Sequence, residues 1–243
     1  MKTSLNAFLI ALSIIISASI LGTAWKKSHA GHSTLHVTGL ASRDFDSDLI
    51  VWEASFSKKA MTLKEAYKNL RDDAEIIRRY LIDKEGIQEK DIVFSSVSIS
   101  KEFDEVKKKD DETRQVFNGY NLTQSVHIES KAVEKIEAVS RQITELIDAG
   151  VELYSQAPRY FYTKLADLKI EMLASAARDA RLRADKMVEN AGGKLDKLKS
   201  AEMGVFQITA PNSTEEYSWG GALNSASKKK TASITVKLEF SID

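Results

Sequence analysis

From residue 165 the chain reads LADLKIEMLASAARDARLRADKMVENAGG, and its apolar positions recur every three or four residues. Leu165, Leu168, Met172, Ala176, Ala180, Ala184, Met187 and Ala191 fall along one side of a helix, with Asp167, Glu171, Arg178, Asp185 and Glu189 opposite. The predicted helix, 164–191, would run about 40 Å. Its second half is striped almost entirely with alanine. Small side chains let a strand or another helix approach the backbone closely, so this is predicted to be the central helix of a sheet-and-helix layer. Gly192 and Gly193 supply the left-handed residue that closes such a helix.

The rest of the chain alternates between two periods. LHVTGLAS and DLIVWEASFSK read as strands, the second placing Ile50, Trp52, Ala54 and Phe56 on one face and Glu53, Ser55 and Ser57 on the other. Thr62 and Glu65 then form a capping box, and Leu63, Ala66, Tyr67, Leu70, Ala74, Ile77 and Leu81 make a helical stripe. Lys68–Asp72, Glu75–Arg79 and Arg79–Asp83 are spaced to pair on its wet side. Gly86 stops the helix, Ile87 folds back onto it, and a strand follows at 92–100. Residues 104–112 mix both charges and predict a solvated hairpin connection.

The arrangement then repeats. A strand at 116–128 leads to a helix at 132–149, with Ser130 as its cap and Val133, Ile136, Val139, Ile143, Leu146 and Ile147 as its apolar side. Gly150-Val151 stops it, and a strand runs from 153 to 162 with Pro158 marking an edge or a bulge. After the long helix, 195–201 and 205–209 read as strands and 210–228 as a Gly/Ser/Asn-rich surface loop. The closing strand alternates Ile234, Val236, Leu238 and Phe240 with Thr235, Lys237 and Glu239. The predicted fold class is α+β: two βαβ-type units, about 35–102 and 116–162, with antiparallel or mixed sheets packed on long helices. The C-terminal strands span 195–241.

Composition narrows the classes of function. Thirty-five basic residues balance 35 acidic ones, which argues against a general nucleic-acid binder. The chain has no cysteine, so thiol catalysis, disulfides and thiolate metal sites are excluded. Residues 7–25 carry no charge and end in Trp25-Lys26-Lys27. A run of that length can span a bilayer as a helix and exceeds the core of an ordinary signal peptide. The reading is an N-terminal transmembrane signal anchor at 1–28, a polar tether at 29–34 and an exported body from 35 to 243. The alternative is a signal cleaved after Ala24 or Ala30, which would leave a soluble periplasmic body.

Chemistry is sparse. None of the phosphate-binding, nucleophile-elbow or zinc-helix motifs occurs. No catalytic or cofactor-binding residue is assigned, and the expectation is a protein that is not an enzyme. His29, His32 and His36, spaced three and four apart, are the metal candidates; without a neighbouring carboxylate or cysteine they equally make a titrating linker. His127 is the one histidine of the body and the anchor of the alternative reading, an unrecognised hydrolase. Tyr217 and Trp219, aromatic side chains in the polar loop, are the candidates for a partner interface.

Several segments in this order carry a likeness: LHVTGLAS with SDLIVWEASF, TLKEAYKNL, GIQEKDI, FNGYNLTQSVHI, IDAGVE, ASAARDARLRADKM and ITVKLEF. From about Leu35 to Phe240 the chain resembles the SIMPL-domain family of exported bacterial envelope proteins, which includes the periplasmic immunogenic proteins. It departs at Ser42–Asp48, where members commonly carry a proline before the aspartate. The resemblance implies an α+β fold, export across the inner membrane and, in some members, ring- or channel-like oligomers; together with the N-terminal run it leads to the expectation of a homo-oligomer anchored by one pass through the inner membrane with its body in the periplasm. It also implies a link to oxidative-stress tolerance, and it brings no catalytic residues. The alternative is a periplasmic protein that binds a small ligand or a metal.

Overall fold

A computed structural model describes residues 2–29, 33–107, 113–214 and 218–242. Among these residues it is a mixed α+β protein with four α-helices and antiparallel sheets. The chain divides into two compact units, the first made of 1–41, 173–204 and 234–243, the second of 42–172 and 205–233.

The second unit holds the larger core. Strand β2 (Leu49–Ala60) pairs antiparallel with β5 (Thr113–Ser130) along its whole length, from Ile50 opposite Ser130 to Ala60 opposite Tyr120. β3 (Ile92–Phe94) and β4 (Ser98–Lys107) pair antiparallel with β5, while β6 (Leu153–Ser155) and β7 (Arg159–Phe161) pair antiparallel with β2. The strand order is therefore β3-β5-β2-β6. The two strand–helix–strand segments read from the sequence lie interleaved in this one sheet, a strand of each separating the two strands of the other. Predicted alternation on β2 holds, since Ile50, Trp52, Ala54 and Phe56 are all buried. Pro158 falls in the break between β6 and β7, where no ladder hydrogen bond is needed. Of the connection predicted at 104–112, residues 104–107 belong to β4 and 108–112 lie outside the described residues.

Helix α2 (Leu63–Arg79) is capped as predicted, Thr62 Oγ1 accepting the Glu65 N–H at 3.3 Å. Its buried stripe differs. Leu63 and Tyr67 are exposed, while Asp73 is buried with Ala66, Leu70 and Ile77. Lys58, reaching across from β2, makes that possible: its Nζ lies 3.1 Å from Asp73 Oδ2 and donates to the Gly150 carbonyl at 2.7 Å. Burial pushes the Asp73 carboxyl above its ordinary range, and Lys58 pulls it part of the way back. The ion pairs also regroup, Arg78 contacting Glu75 and Glu89. The helix ends in a π turn at Tyr80–Lys84, after which Gly86 takes a left-handed φ of 60° and Ile87 returns to the core. Helix α3 (Val133–Gln142) tightens into a 3-10 turn at Ile143–Ile147, and Ile147, expected inside, is exposed.

The first unit is built differently. Helix α1 (Lys2–His29) leads to β1 (Thr34–Asp46), and β10 (Lys229–Ile242) lies between β1 and β8 (Leu195–Met203). Ile242 N–H donates to the Ser33 carbonyl, and His36 faces Glu239, so β1 and β10 run antiparallel. Helix α4 (Leu165–Asn190) starts in the second unit and contributes residues 173–190 to the first. Its buried positions step by four: Leu168, Met172, Ala176, Ala180, Ala184 and Val188. This is a single ridge of the i±4 kind. The stripe was expected to include Met187, which is 55% exposed because it lies one position off that ridge.

The alanines bring backbones together. A Cβ on Gly39 of β1 would lie 2.1 Å from the Ala176 carbonyl oxygen and 2.5 Å from the Ala180 nitrogen. Asp179 uses the same proximity to accept the Leu40 N–H at 2.8 Å. That bond, then Arg183, holds the Asp179 carboxyl below the usual carboxylate range. Gly192, at φ 79°, closes the helix.

Among the described residues no helix is long and apolar enough to cross a membrane. In α1 the residues whose side chains are described, 12–25, are all exposed.

Candidate functional site

The second unit carries the features that look built for contact, and they share one loop. Strand β9 (Gln207–Thr209) pairs with Thr231–Ser233 of β10, and residues 210–228 connect the two. Gln207 is buried. Its side-chain N–H donates to the Ser218 carbonyl at 2.7 Å, and its oxygen accepts the Ala222 N–H at 2.8 Å. Between these two attachments the chain makes a tight turn, Gly221 N–H donating to the Ser218 carbonyl at 3.0 Å with Gly221 at φ 91°. Trp219 stands at the tip of this turn, 97% exposed. An indole so placed is held out by a buried side chain rather than left on a loose segment.

Further along, the loop closes over a chamber. Ile208 N–H donates to the Ala222 carbonyl at 2.8 Å, Asn224 N–H donates back to the Ile208 carbonyl at 2.9 Å, and Tyr160 N–H donates to the Ser225 carbonyl at 2.7 Å. Lys230 is 2% exposed, its ammonium donating to the Asn224 and Ser227 carbonyls. Beneath, the Phe45 and Tyr162 rings meet at 4.9 Å with a 58° tilt. Asp48 fixes the neighbouring backbone by accepting the Thr163 N–H at 2.7 Å and the Thr163 hydroxyl at 2.6 Å. The space left between Phe45, Tyr160, Tyr162, Ile208, Leu223 and Lys230 is about 70 Å³. It is apolar apart from the lysine. A separate groove of about 250 Å³ lies on the other face of β1 and β10, where Asp44, Asp46 and Lys229 project, with Pro211 beside them. Asp44 accepts the Thr231 hydroxyl at 2.6 Å. Lys228 points the other way, to Glu134 at 2.7 Å and Glu137 at 3.6 Å, and holds the Glu134 carboxyl below its usual range. Burial, then Glu137, pushes the Tyr160 hydroxyl up. A larger hollow of about 480 Å³ runs along α2 past Tyr67 and Lys68, but side chains of α2 and its cap alone line it.

The residues singled out from the sequence are scattered. His29 ends α1, His32 lies outside the described residues, and His36 is exposed, 4.0 Å from Glu239 Oε1. Among the described residues no three His, Asp or Glu side chains gather to hold a metal ion. His127 sits half-buried on β5 opposite Glu53 of β2 and Val93 of β3. Tyr217 lies outside the described residues, whereas Trp219 is exposed as its place in a polar loop suggested. Phe45, Tyr160, Tyr162, Gln207 and Lys230 were not foreseen. The run Tyr160-Phe161-Tyr162 after Pro158 was the available signal, since three aromatics in one short edge strand cannot all face the same core.

The sequence from β1 to β10 matches a known family. The family model SIMPL, described as a protein of unknown function (DUF541), matches residues 35–240. The chain belongs to the SIMPL family. No curated protein matches it. SIMPL membership thus covers most of the chain and leaves its activity to be argued from surfaces and cavities.

Proposed function

We propose that this SIMPL chain is an exported protein of the cell envelope, anchored by α1 and non-catalytic, which works by contacting copies of itself or another protein. The observation that carries the reading is α1. From Leu12 to Trp25 every side chain is exposed, Ile14, Ile15, Ile20, Leu21 and Trp25 among them. Such a surface is costly in water and favourable in lipid. The uncharged run 7–25, of which only the side chains from residue 12 on are described, would be about 29 Å long as a helix, close to the roughly 30 Å of a hydrocarbon core. Trp219 supports the contact half of the reading, because a large aromatic with two rotatable bonds stands 97% exposed on a turn whose backbone Gln207 ties down. The family likeness adds the link to oxidative-stress tolerance.

Fractionation of cells with mass measurement of the mature N-terminus tests the anchor. The expected result is an intact N-terminus in the inner membrane; a soluble periplasmic species shortened at Ala24 or Ala30 would replace the anchor with a cleaved signal. Mass photometry of the full chain in detergent tests self-association. Multimers that weaken on changing Trp219→Ala are expected, and a strict monomer at tens of micromolar would leave only a foreign partner.

A further inference from the structure

We propose that the outer edge of β4 is the seat for β4 of a second copy of this chain, the two strands pairing antiparallel with Phe103 opposite Phe103. The proposal rests on the reading that copies of the chain contact one another, and it names a face for that contact apart from the Trp219 turn.

β2 ends at Ala60 opposite Tyr120, whereas β4 and β5 stay paired as far as Lys107 and Thr113. Beyond Tyr120 these two strands form a ribbon that no third strand joins among the described residues. A two-stranded ribbon is marginal in water on its own, and the free edge of a ten-residue strand presents a row of unpaired backbone donors and acceptors. Both faces of the ribbon also hold apolar side chains in solvent. Ile99 lies opposite Leu122 and Lys101 opposite Tyr120, so the odd-numbered residues of β4 share the face of the buried Leu122. The extra residue that interrupts the register, Asn118, is on β5, so the alternation of β4 is unbroken. On this face Phe103, half-exposed, meets the Phe117 ring edge-on at 5.8 Å, and Phe117 meets Tyr120 at 5.2 Å. Val106 and Val116, also about half-exposed, lie on the opposite face.

Charged side chains normally guard such an edge. On β4 their order admits a copy. A two-fold axis at a shared antiparallel edge keeps each residue on its own face, so odd positions meet odd ones and even meet even. With Phe103 at the axis, Lys101 of each copy faces Glu105 of the other, and two opposite-charge pairs flank two rings. The next register in either direction sets Glu102 against Glu102 or Asp104 against Asp104, and parts Lys101 from Glu105. On the other face Glu102 comes opposite Asp104. Within one copy Glu102 already holds Lys59 at 2.7 Å, and Asp104 accepts the Asn118 amide at 2.6 Å.

The chain has no cysteine, so a single introduced thiol can link only two copies. Phe103→Cys sets the two thiols opposite each other, with Cα atoms about 5 Å apart and within reach of a disulfide. Ile99→Cys sets them about 27 Å apart along the strands. Mild oxidation of the full chain in detergent should therefore give a linked dimer on a non-reducing gel for Phe103→Cys and not for Ile99→Cys. By mass photometry, Lys101→Glu and Glu105→Lys should each associate about ten- to a hundredfold more weakly, since each turns two attractions into two repulsions. The double variant, which exchanges the charges, should associate like the parent. Multimers that withstand both single reversals, or linking no faster in Phe103→Cys than in Ile99→Cys, overturn the proposal and leave self-association through another face standing. An edge reserved for a foreign strand would give that second result. A double variant no better than the singles overturns the register, and a strict monomer overturns the proposal together with the self-contact reading.

Discussion

In the second unit, α2 and α3 meet their sheet through large side chains. Trp52, Phe56, Leu70, Ile77, Leu122, Ile136 and Ile143 fill the space between the layers, none more than 1% exposed. In the first unit, α4 meets β1 through alanine and glycine, and what fills the space is backbone. The two solutions distribute energy differently. Large side chains gain from area removed from water and lose gradually as atoms are trimmed. A close backbone approach gains dispersion contacts and a bond such as Leu40 N–H to Asp179, and tolerates no added atom. The first unit also leaves apolar surface in view around this contact: Leu182, Met187, Leu198 and Met203 are all more than half exposed.

The largest way to test the contrast is to remove bulk where bulk does the packing. Trp52 is fully buried, its Nε1–H donating to Ser155 Oγ at 3.0 Å, and Ser155 donates on to the Ser140 carbonyl at 2.7 Å. Trp52→Ala should cost about 3–5 kcal/mol in urea unfolding. Adding bulk is the complementary test. Gly39→Ala should destabilise by about 3 kcal/mol, the upper end for overpacking, because the clash is with helix backbone rather than a movable side chain. Hydrogen exchange should then speed up in residues 173–190 and leave α2 and α3 protected; equal acceleration in both would erase the distinction.

A smaller effect concerns the buried charge. Lys58→Met leaves the Asp73 carboxylate without its cation and should cost about 1–3 kcal/mol at neutral pH, less than a fully buried pair because Lys58 is partly exposed. The pH dependence fixes the cause. Asp73 has a folded-state value raised above its unfolded one, so the folded protein binds the proton more tightly. Its destabilising contribution is absent below the unfolded value near 4 and develops as pH rises through the folded value. The variant should therefore recover stability relative to the parent on acidification, and a deficit independent of pH would point to lost packing instead. Smallest of the four, Thr62→Ala should cost about 1 kcal/mol through loss of the α2 cap, read as a lower midpoint with unchanged slope.

Patterns that depend on a single element were legible in the sequence. The β2 alternation, the Thr62 cap and the closing glycines at 86, 150 and 192 all follow from local backbone chemistry. The alanine stripe even announced a close approach, although not its partner, Gly39. What escaped depends on partners distant in sequence. Asp73 reads as solvated until Lys58 is known to reach it, and Tyr67 reads as buried until Asp73 takes its place. Met187 and Val188 are adjacent, so one residue of drift between a 3.6 and a 4.0 period exchanges inside for outside. The chamber is harder still, since Phe45, Tyr160, Ile208 and Lys230 come from four separate stretches. Trp219 was visible as an exposed aromatic, but the turn that carries it is tied down by Gln207, which carries no sequence mark of that role.

The placement of β10 bears on the order in which the molecule is made. The stretch 42–172, holding the sheet of β2 to β7 and the two helices against it, is contiguous and can collect its core as it emerges. Strand β1 is synthesised before it yet finds its neighbour only when residues 234–242 exist. Contacts spanning so much chain form slowly. Until those residues exist the β1–β10 pairing is missing, and a nascent chain carries its first unit incomplete.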